Sequence, residues 1–329
     1  MSRIKCFIQA ILLLGIAGCN SPPPPNANDA DDRPLVVATT SVLCDLTRQV
    51  AQETIDLACL VAPGEDPHVY QPKPDDRRAI DRAKLIFYAG YDFDPSLAKL
   101  VKASSNSAPK IAVHEVAVPN PILGEEHSHE HAEEHSPESE KTAPDPHVWH
   151  DAQNGVQMVE TIAKALEQVV PTEANLYQSN SQQITTELTQ LHEWIKSQIE
   201  TIPATQRKLV TTHDALAYYV QAYGLQDEGA LQGLSTEESP TAARVSELVG
   251  EIEAANIPTV FAETTASPKL IEAVAKEANV KVADRELYAD GLGEAGTEGD
   301  TYQKMLQANT QTIVDGLGGK FTVFSLQPN

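Results

Sequence analysis

Short apolar runs alternate with amphipathic stretches over most of this chain. Leu35-Val36-Val37-Ala38-Thr39 is the first run, and a helical stretch follows over about 41–52. Further apolar runs lie at 55–62, 85–89 and 110–113, with a charged helix over 75–84 between two of them. Continuous apolar runs of four to eight residues separated by helices predict a buried parallel sheet. Right-handed crossovers then place helices on both of its faces. The alternation resumes late in the chain, with strands at 208–212, 258–262 and 280–283 and helices at 214–223, 241–255, 268–278 and 301–317.

Between these regions the period changes. Residues 154–202 are helical, with a break at Pro171. Ile184, Leu188, Leu191, Ile195, Ile199 and Ile202 then recur at three- and four-residue steps, one apolar face of a helix of roughly 30 residues. Such a helix spans on the order of 45 Å. The expected fold is α/β. Two lobes, 34–152 and 203–329, each carry a parallel four-stranded sheet flanked by helices. The helical segment 153–202 joins them as a rigid beam.

The ends and one insertion do not fit this pattern. Arg3 and Lys5 precede an apolar run too short to span a membrane, so residues 1–18 read as a signal peptide. The run ends Leu14-Gly15-Ile16-Ala17-Gly18-Cys19. This resembles a bacterial lipobox, which implies cleavage before Cys19 and acylation of its thiol. Residues 19–33, with four consecutive prolines at 22–25, form an extended polar tether. Residues 125–140 mix His127, His129, His131 and His135 with carboxylates and have no apolar period. That stretch cannot fold alone and offers accessory, weakly selective metal ligands. Cys44 and Cys59 remain in an exported, oxidation-permissive body. A disulfide there closes a loop of about 15 residues and stabilises by roughly 3 kcal/mol; two buried free thiols are the alternative.

The balance of 24 basic against 47 acidic residues gives a formal charge of -23. No nucleic-acid backbone is held by such a surface, whereas cations concentrate near it. No Gly-rich phosphate loop follows the first strand, so a nucleotide cofactor is not supported.

Candidate chemistry sits at strand-to-loop junctions. His68 lies in Gly64-Glu65-Asp66-Pro67-His68-Val69-Tyr70, and His147 in Asp145-Pro146-His147-Val148-Trp149. His213 lies in Thr212-His213-Asp214-Ala215, and Asp290 in Tyr288-Ala289-Asp290. Ligands in open α/β sheets bind beyond the carboxyl ends of the strands, which is where His68, His213 and Asp290 fall. Three imidazoles and one carboxylate suit a divalent first-row metal. With two ligands from each lobe, the ion lies in the cleft between them. Rivals to Asp290 are Glu294, Glu298 and Asp300. His150 reads as a group that supports a ligand or is spare, while His114 and His192 read as ordinary surface or core residues. Four protein ligands leave no open position for an activated water, and no HExxH motif is present, so the site captures rather than catalyses.

Taken in order, these motifs resemble the cluster A-I (cluster 9) metal-binding lipoproteins, the zinc and manganese solute-binding components of ABC importers. The resemblance runs from about Leu35 to Phe324. It implies two α/β lobes joined by a long rigid helix, and it places the ligands at His68, His147, His213 and Asp290. It also implies a permease and an ATPase as partners, and zinc as the ion with manganese as the alternative; the stiff helix itself predicts small lobe movements. His at the third ligand position and the histidine-acid loop resemble the zinc branch, while Ser235-Thr236-Glu237-Glu238 and Glu294-Ala295-Gly296 resemble manganese-type relatives. A surface adhesin shares this site, and a metal-dependent hydrolase is the remaining alternative. The mature protein is expected to be a monomer, exported and lipid-anchored. Cys19→Ala should move it from the membrane fraction to the soluble extracytoplasmic fraction; unchanged fractionation would remove the lipid-anchor reading.

Overall fold

The computed structural model describes residues 33–125, 142–237 and 239–327. The signal, Cys19, the tether to residue 32 and the four histidines of the acidic stretch lie outside the described residues.

The first sheet is built from β1 (Leu35–Ala38), β2 (Asp56–Cys59), β3 (Leu85–Tyr88) and β4 (Lys110–Ala112), with α1 (Ser41–Ala51), α2 (Pro74–Arg82) and α3 (Pro95–Ala103) between them. Its order is β2-β1-β3-β4, parallel throughout, with Val37 opposite both Ala58 and Ile86. Alternation of side chains across the sheet assigns each residue to one of two cores. Val36, Ala38, Leu85 and Phe87 face a large central cluster, and Val37 and Ile86 face a smaller outer one with Ile80 and Leu97. β2 is shorter than its apolar run predicts, yet the chain stays beside β1. Leu60 N and Val61 N donate to Ala38 O and Thr39 O at 3.1 and 3.0 Å. Thr40 caps α1, its hydroxyl accepting from Leu43 N. Cys44 on α1 and Cys59 at the end of β2 are joined in a disulfide.

A short helix, α4 (Val113–Ala117), leads to an antiparallel pair, β5 (Leu123–Glu125) and β6 (Thr142–Pro144), which flanks the acidic stretch. Then α5 (Ala152–Val169) and α6 (Ala174–Ile199) pack against one another, separated by a turn at Pro171. α6 has 26 residues and is therefore about 39 Å long. Its buried face carries Ile184, Leu188, Leu191, Ile195 and Ile199, the periodic positions of the sequence, with Ile202 buried just beyond.

The C-terminal region, expected to carry one four-stranded sheet, holds two two-stranded ladders instead, in the order β7 (Lys208–His213), α7 (Ala217–Tyr223), β8 (Gln226–Gln232), α8 (Ala242–Ala255), β9 (Thr259–Val260), α9 (Pro268–Glu277) and β10 (Lys281–Val282). The ladders β7–β8 and β9–β10 are parallel. Phe261 N joins them by donating to Val210 O at 2.9 Å. Finally α10 (Tyr302–Gly316) returns to the centre. The central cluster takes in Phe87 from the first sheet, Leu188 and Leu191 from α6, and Phe261 and Leu306 from the C-terminal region. Both sheets thus share one continuous apolar core with the beam running through it. Independent rotation of the halves would expose that core to water, at about 25 cal/mol for each Å2 of apolar surface.

Candidate metal centre

The four sequence-predicted ligands converge. One donor atom from each of His68, His147, His213 and Asp290 lies within 4.8 Å of the other three, and all four residues are buried. Asp290 Oδ1 is 3.4 Å from His68 Nε2, 3.5 Å from His147 Nε2 and 3.0 Å from His213 Nε2. His147 Nε2 and His68 Nε2 are 3.3 Å apart.

Each ligand is aimed by a second group. In both Asp-Pro-His motifs the aspartate accepts from the histidine backbone two residues on, Asp66 Oδ1 from His68 N and Asp145 Oδ1 from His147 N, each at 2.9 Å. Asp145 Oδ1 also takes His147 Nδ1 at 2.8 Å, which leaves Nε2 facing the other donors. His213 closes β7 and uses a different clamp. Glu263, just past β9, accepts from the backbone N of Thr212 and of His213 at 3.0 Å each, and its other oxygen pairs with His213 Nδ1. Asp290 Oδ2 accepts from Thr265 Oγ1 at 2.7 Å, leaving Oδ1 toward the rings. His150 Nε2 bonds Ala289 O at 2.8 Å, so this residue positions the Asp290 loop and does not join the cluster.

Charge explains how such a site survives burial. Burial would raise Asp290, but the His213, His147 and His68 rings hold its carboxyl well below the ordinary range. Burial would also pull His213 down; Asp290 and Glu263 overcome it and hold its proton well above the ordinary imidazole range. His147 is raised likewise, with Asp145 and Asp290 outweighing burial. His114 and His150 lack such partners, and burial pushes both down to about 3. His213 Nε2 and Asp290 Oδ1 face each other without forming a hydrogen bond. Three imidazole nitrogens and a carboxylate oxygen thus converge on one buried point, a donor set that fits a metal dication.

The remaining candidates fall elsewhere. His114 packs against Phe93 and Trp149 in the core. His192 pairs with Asp151 at 3.3 Å on α6. Asp300 binds Lys304 and the backbone of Gly296, and neither it nor Glu294 nor Glu298 joins the four. Glu263 had no place in the sequence reading. Its one signal is an acidic residue directly after the apolar run at 258–262.

Two parallel-sheet regions tied by a long helix, with three imidazoles and a carboxylate buried together at their strand ends, define a solute-binding protein for a metal ion. A family model described as zinc-uptake complex component A, periplasmic (ZnuA), matches residues 36–316, and the chain belongs to that family. It is 30% identical over 314 residues to the manganese-binding lipoprotein MntA of Halalkalibacterium halodurans, covering 95% of this chain and 98% of that protein. It is also 30% identical over 288 residues to the manganese ABC transporter substrate-binding lipoprotein PsaA of Streptococcus mitis, covering 86% and 88%. Among solved structures it is similar to the periplasmic zinc binding protein TroA from Treponema pallidum. That match has a TM-score of 0.77 at 30% identity and covers 87% of this chain and 99% of that one.

Removing the charge of Glu263 should leave His213 free to rotate and to change tautomer. Loss of a carboxylate behind a ligand imidazole lowers metal affinity about 10- to 100-fold. Glu263→Gln should show a loss of that size in competition with a chelator, and an unchanged affinity would reduce Glu263 to a packing residue.

Proposed function

We propose that this chain is the extracytoplasmic solute-binding component of an ABC importer, that its cargo is zinc, and that it hands the ion to a permease driven by an ATPase. His68, His147 and His213 bind the ion through Nε2, and Asp290 through Oδ1. The lobes 34–152 and 203–329 flank the ion. Cys19 carries the lipid anchor, and the mature protein works as a monomer.

The observation that carries this reading is the spacing of the donors. A zinc ion with tetrahedral ligands about 2.0–2.1 Å away requires neighbouring donors about 3.3–3.4 Å apart. Four of the six donor separations, 3.0–3.5 Å, bracket that edge, and the other two lie within 4.8 Å. Thr265 engages the second oxygen of Asp290, in keeping with a single-oxygen carboxylate ligand. Manganese is the second reading, favoured by the names of the MntA and PsaA relatives. On softness of donors and the Irving–Williams order, a site rich in imidazole holds zinc more tightly. Among the described residues, no helix is long and apolar enough to cross a membrane.

Metal analysis of protein loaded from an equimolar zinc and manganese mixture tests the choice of ion. Zinc should dominate, and His213→Glu, which replaces an imidazole by an oxygen donor, should shift the ratio toward manganese. Protein that emerges carrying neither ion would overturn the function itself.

Protons compete with the ion. In the metal-free protein the raised values of His147 and His213 keep protons on rings that the ion needs neutral. The stabilisation these protonated rings give the metal-free fold is full below the ordinary imidazole value of about 6.5. It fades as pH rises through their higher folded values. The rise in melting temperature on adding zinc should therefore be larger at about pH 8 than at about pH 6. A rise that is equal at both, or larger in acid, would show that these rings are not the competitors.

A further inference from the structure

The three histidines are not held alike. His147 and His213 have their Nδ1 atoms fixed by Asp145 and Glu263, and both are fully buried. Among the described residues, no carboxylate lies against Nδ1 of His68; its one ion-pair contact is Nε2 with Asp290. His68 is also the only one of the four ligands to line a cavity of about 420 Å3. The walls of that cavity include Pro146, Leu231 and Leu234, and its carboxylates are Asp92, Glu237 and Glu247. The guanidinium of Arg244, also on the wall, is taken up by Glu247, Glu251 and the carbonyl of Ala230. A cation crossing this space therefore meets no free positive charge among the described lining residues.

What restrains the His68 loop instead is a bond to the other half of the protein. Asp66 Oδ1 holds His68 N, and Asp66 Oδ2 accepts from Thr236 Oγ1 at 2.5 Å. Thr236 lies in the segment after β8, whose backbone carbonyl is in turn reached by Gln232 Nε2 at 3.4 Å. A backbone bond also ties this loop to the second-sheet side, Gly64 N to Leu292 O at 3.0 Å, near Asp290. One carboxylate thus connects a metal ligand on the first-sheet side to a hydroxyl on the second-sheet side, beside the cavity that opens onto that ligand.

We propose that Thr236 is a positioning residue acting through Asp66. It holds His68 on the ion, and when its bond to Asp66 breaks, His68 is the first ligand to let go and the ion passes through this cavity. The inference rests on the metal-binding function proposed above and adds the order and route of release. It requires no rotation of whole lobes, in keeping with their shared core. A side chain with both ring nitrogens directed by carboxylates and neighbours must lose several bonds to swing away. His68 needs only its loop to shift.

Zinc release from the loaded, full-length protein into excess chromogenic chelator, followed by stopped flow, tests the idea. Thr236→Val keeps the shape of the side chain and removes the donor. A hydrogen bond to a charged group is worth enough for about a tenfold change in rate, so release from Thr236→Val should be about tenfold faster. Thr236→Ser, which keeps the hydroxyl, should restore the wild-type rate. A purely structural role would lower the melting temperature of Val and Ser variants without this split in release. To test the route, Ala243→Trp places a bulky ring on the cavity wall. It should slow zinc loading and release together and leave their ratio unchanged. Release from Thr236→Val at the wild-type rate would overturn the latch, and unchanged rates in Ala243→Trp would overturn the route. Wild-type protein that binds no zinc would overturn the proposed cargo instead, so the two failures are distinguishable.

Discussion

Everything in this protein is arranged around a set of buried carboxylates that would be intolerable without cations beside them. Asp145, Glu263 and Asp290 are each at most 1% exposed. Isolated charges in such an interior cost many kcal/mol, and real proteins neutralise or pair them. Here the partners are imidazoles, and each pairing does two jobs. It places positive charge next to the carboxylate when no ion is bound, and it turns Nε2 toward a common point. Metal binding is then an exchange in which a dication takes over the charge that ring protons supplied.

That constraint explains why the fold is so stiff. Donors within 4.8 Å of one another come from residues 68, 147, 213 and 290, so four distant segments have to hold their places. Strand ends of two parallel sheets fix three of the loops, and the turn before α5 fixes the fourth. α6 and α10 then join the sheets through one core, and buried groups such as Tyr219 hydroxyl to Thr310 Oγ1, at 2.9 Å, lock α7 to α10. Movement is left to loops, which carry few apolar contacts and open at low cost.

The sequence revealed the parts of this arrangement that carry a period or a motif. The beam was legible because Ile184 to Ile202 repeat on one helical face, and those side chains are the buried ones. The candidate ligands were legible because Asp-Pro-His and Thr-His-Asp stand at the ends of apolar runs, and the structure brings those residues together. α3 was not foreseen, although Asp94-Pro95 opens it and Leu97, Ala98 and Val101 are its buried face. β8 was missed for a physical reason. Gln226-Asp227-Glu228-Gly229 is polar and only partly buried, so its strand character comes from pairing with β7 rather than from its own composition. The helix expected from residue 214 begins at Ala217, because Asp214 N and Ala215 N are turned toward Gln232 O and His213 O. Glu263 was invisible for a similar reason: its role depends on β9 lying next to β7, a tertiary fact that no local pattern encodes.

The difference between His68 and the other two histidines is where binding and delivery meet. A carrier that held all three rings by buried carboxylates would bind well and release slowly, since affinity differences among related sites appear mostly in the rate of dissociation. Placing the first ligand on a loop restrained by a single side-chain bond to the opposite half removes that conflict. The ion remains enclosed while the bond holds, and a partner that competes for Asp66 or Thr236 frees one ligand without disturbing the core. Val69, next to His68, is 43% exposed, so this loop lies at the surface. Under the latch proposed above, the loss of one bond becomes the loss of one ligand over a distance of a few residues, with the beam and both sheets left in place.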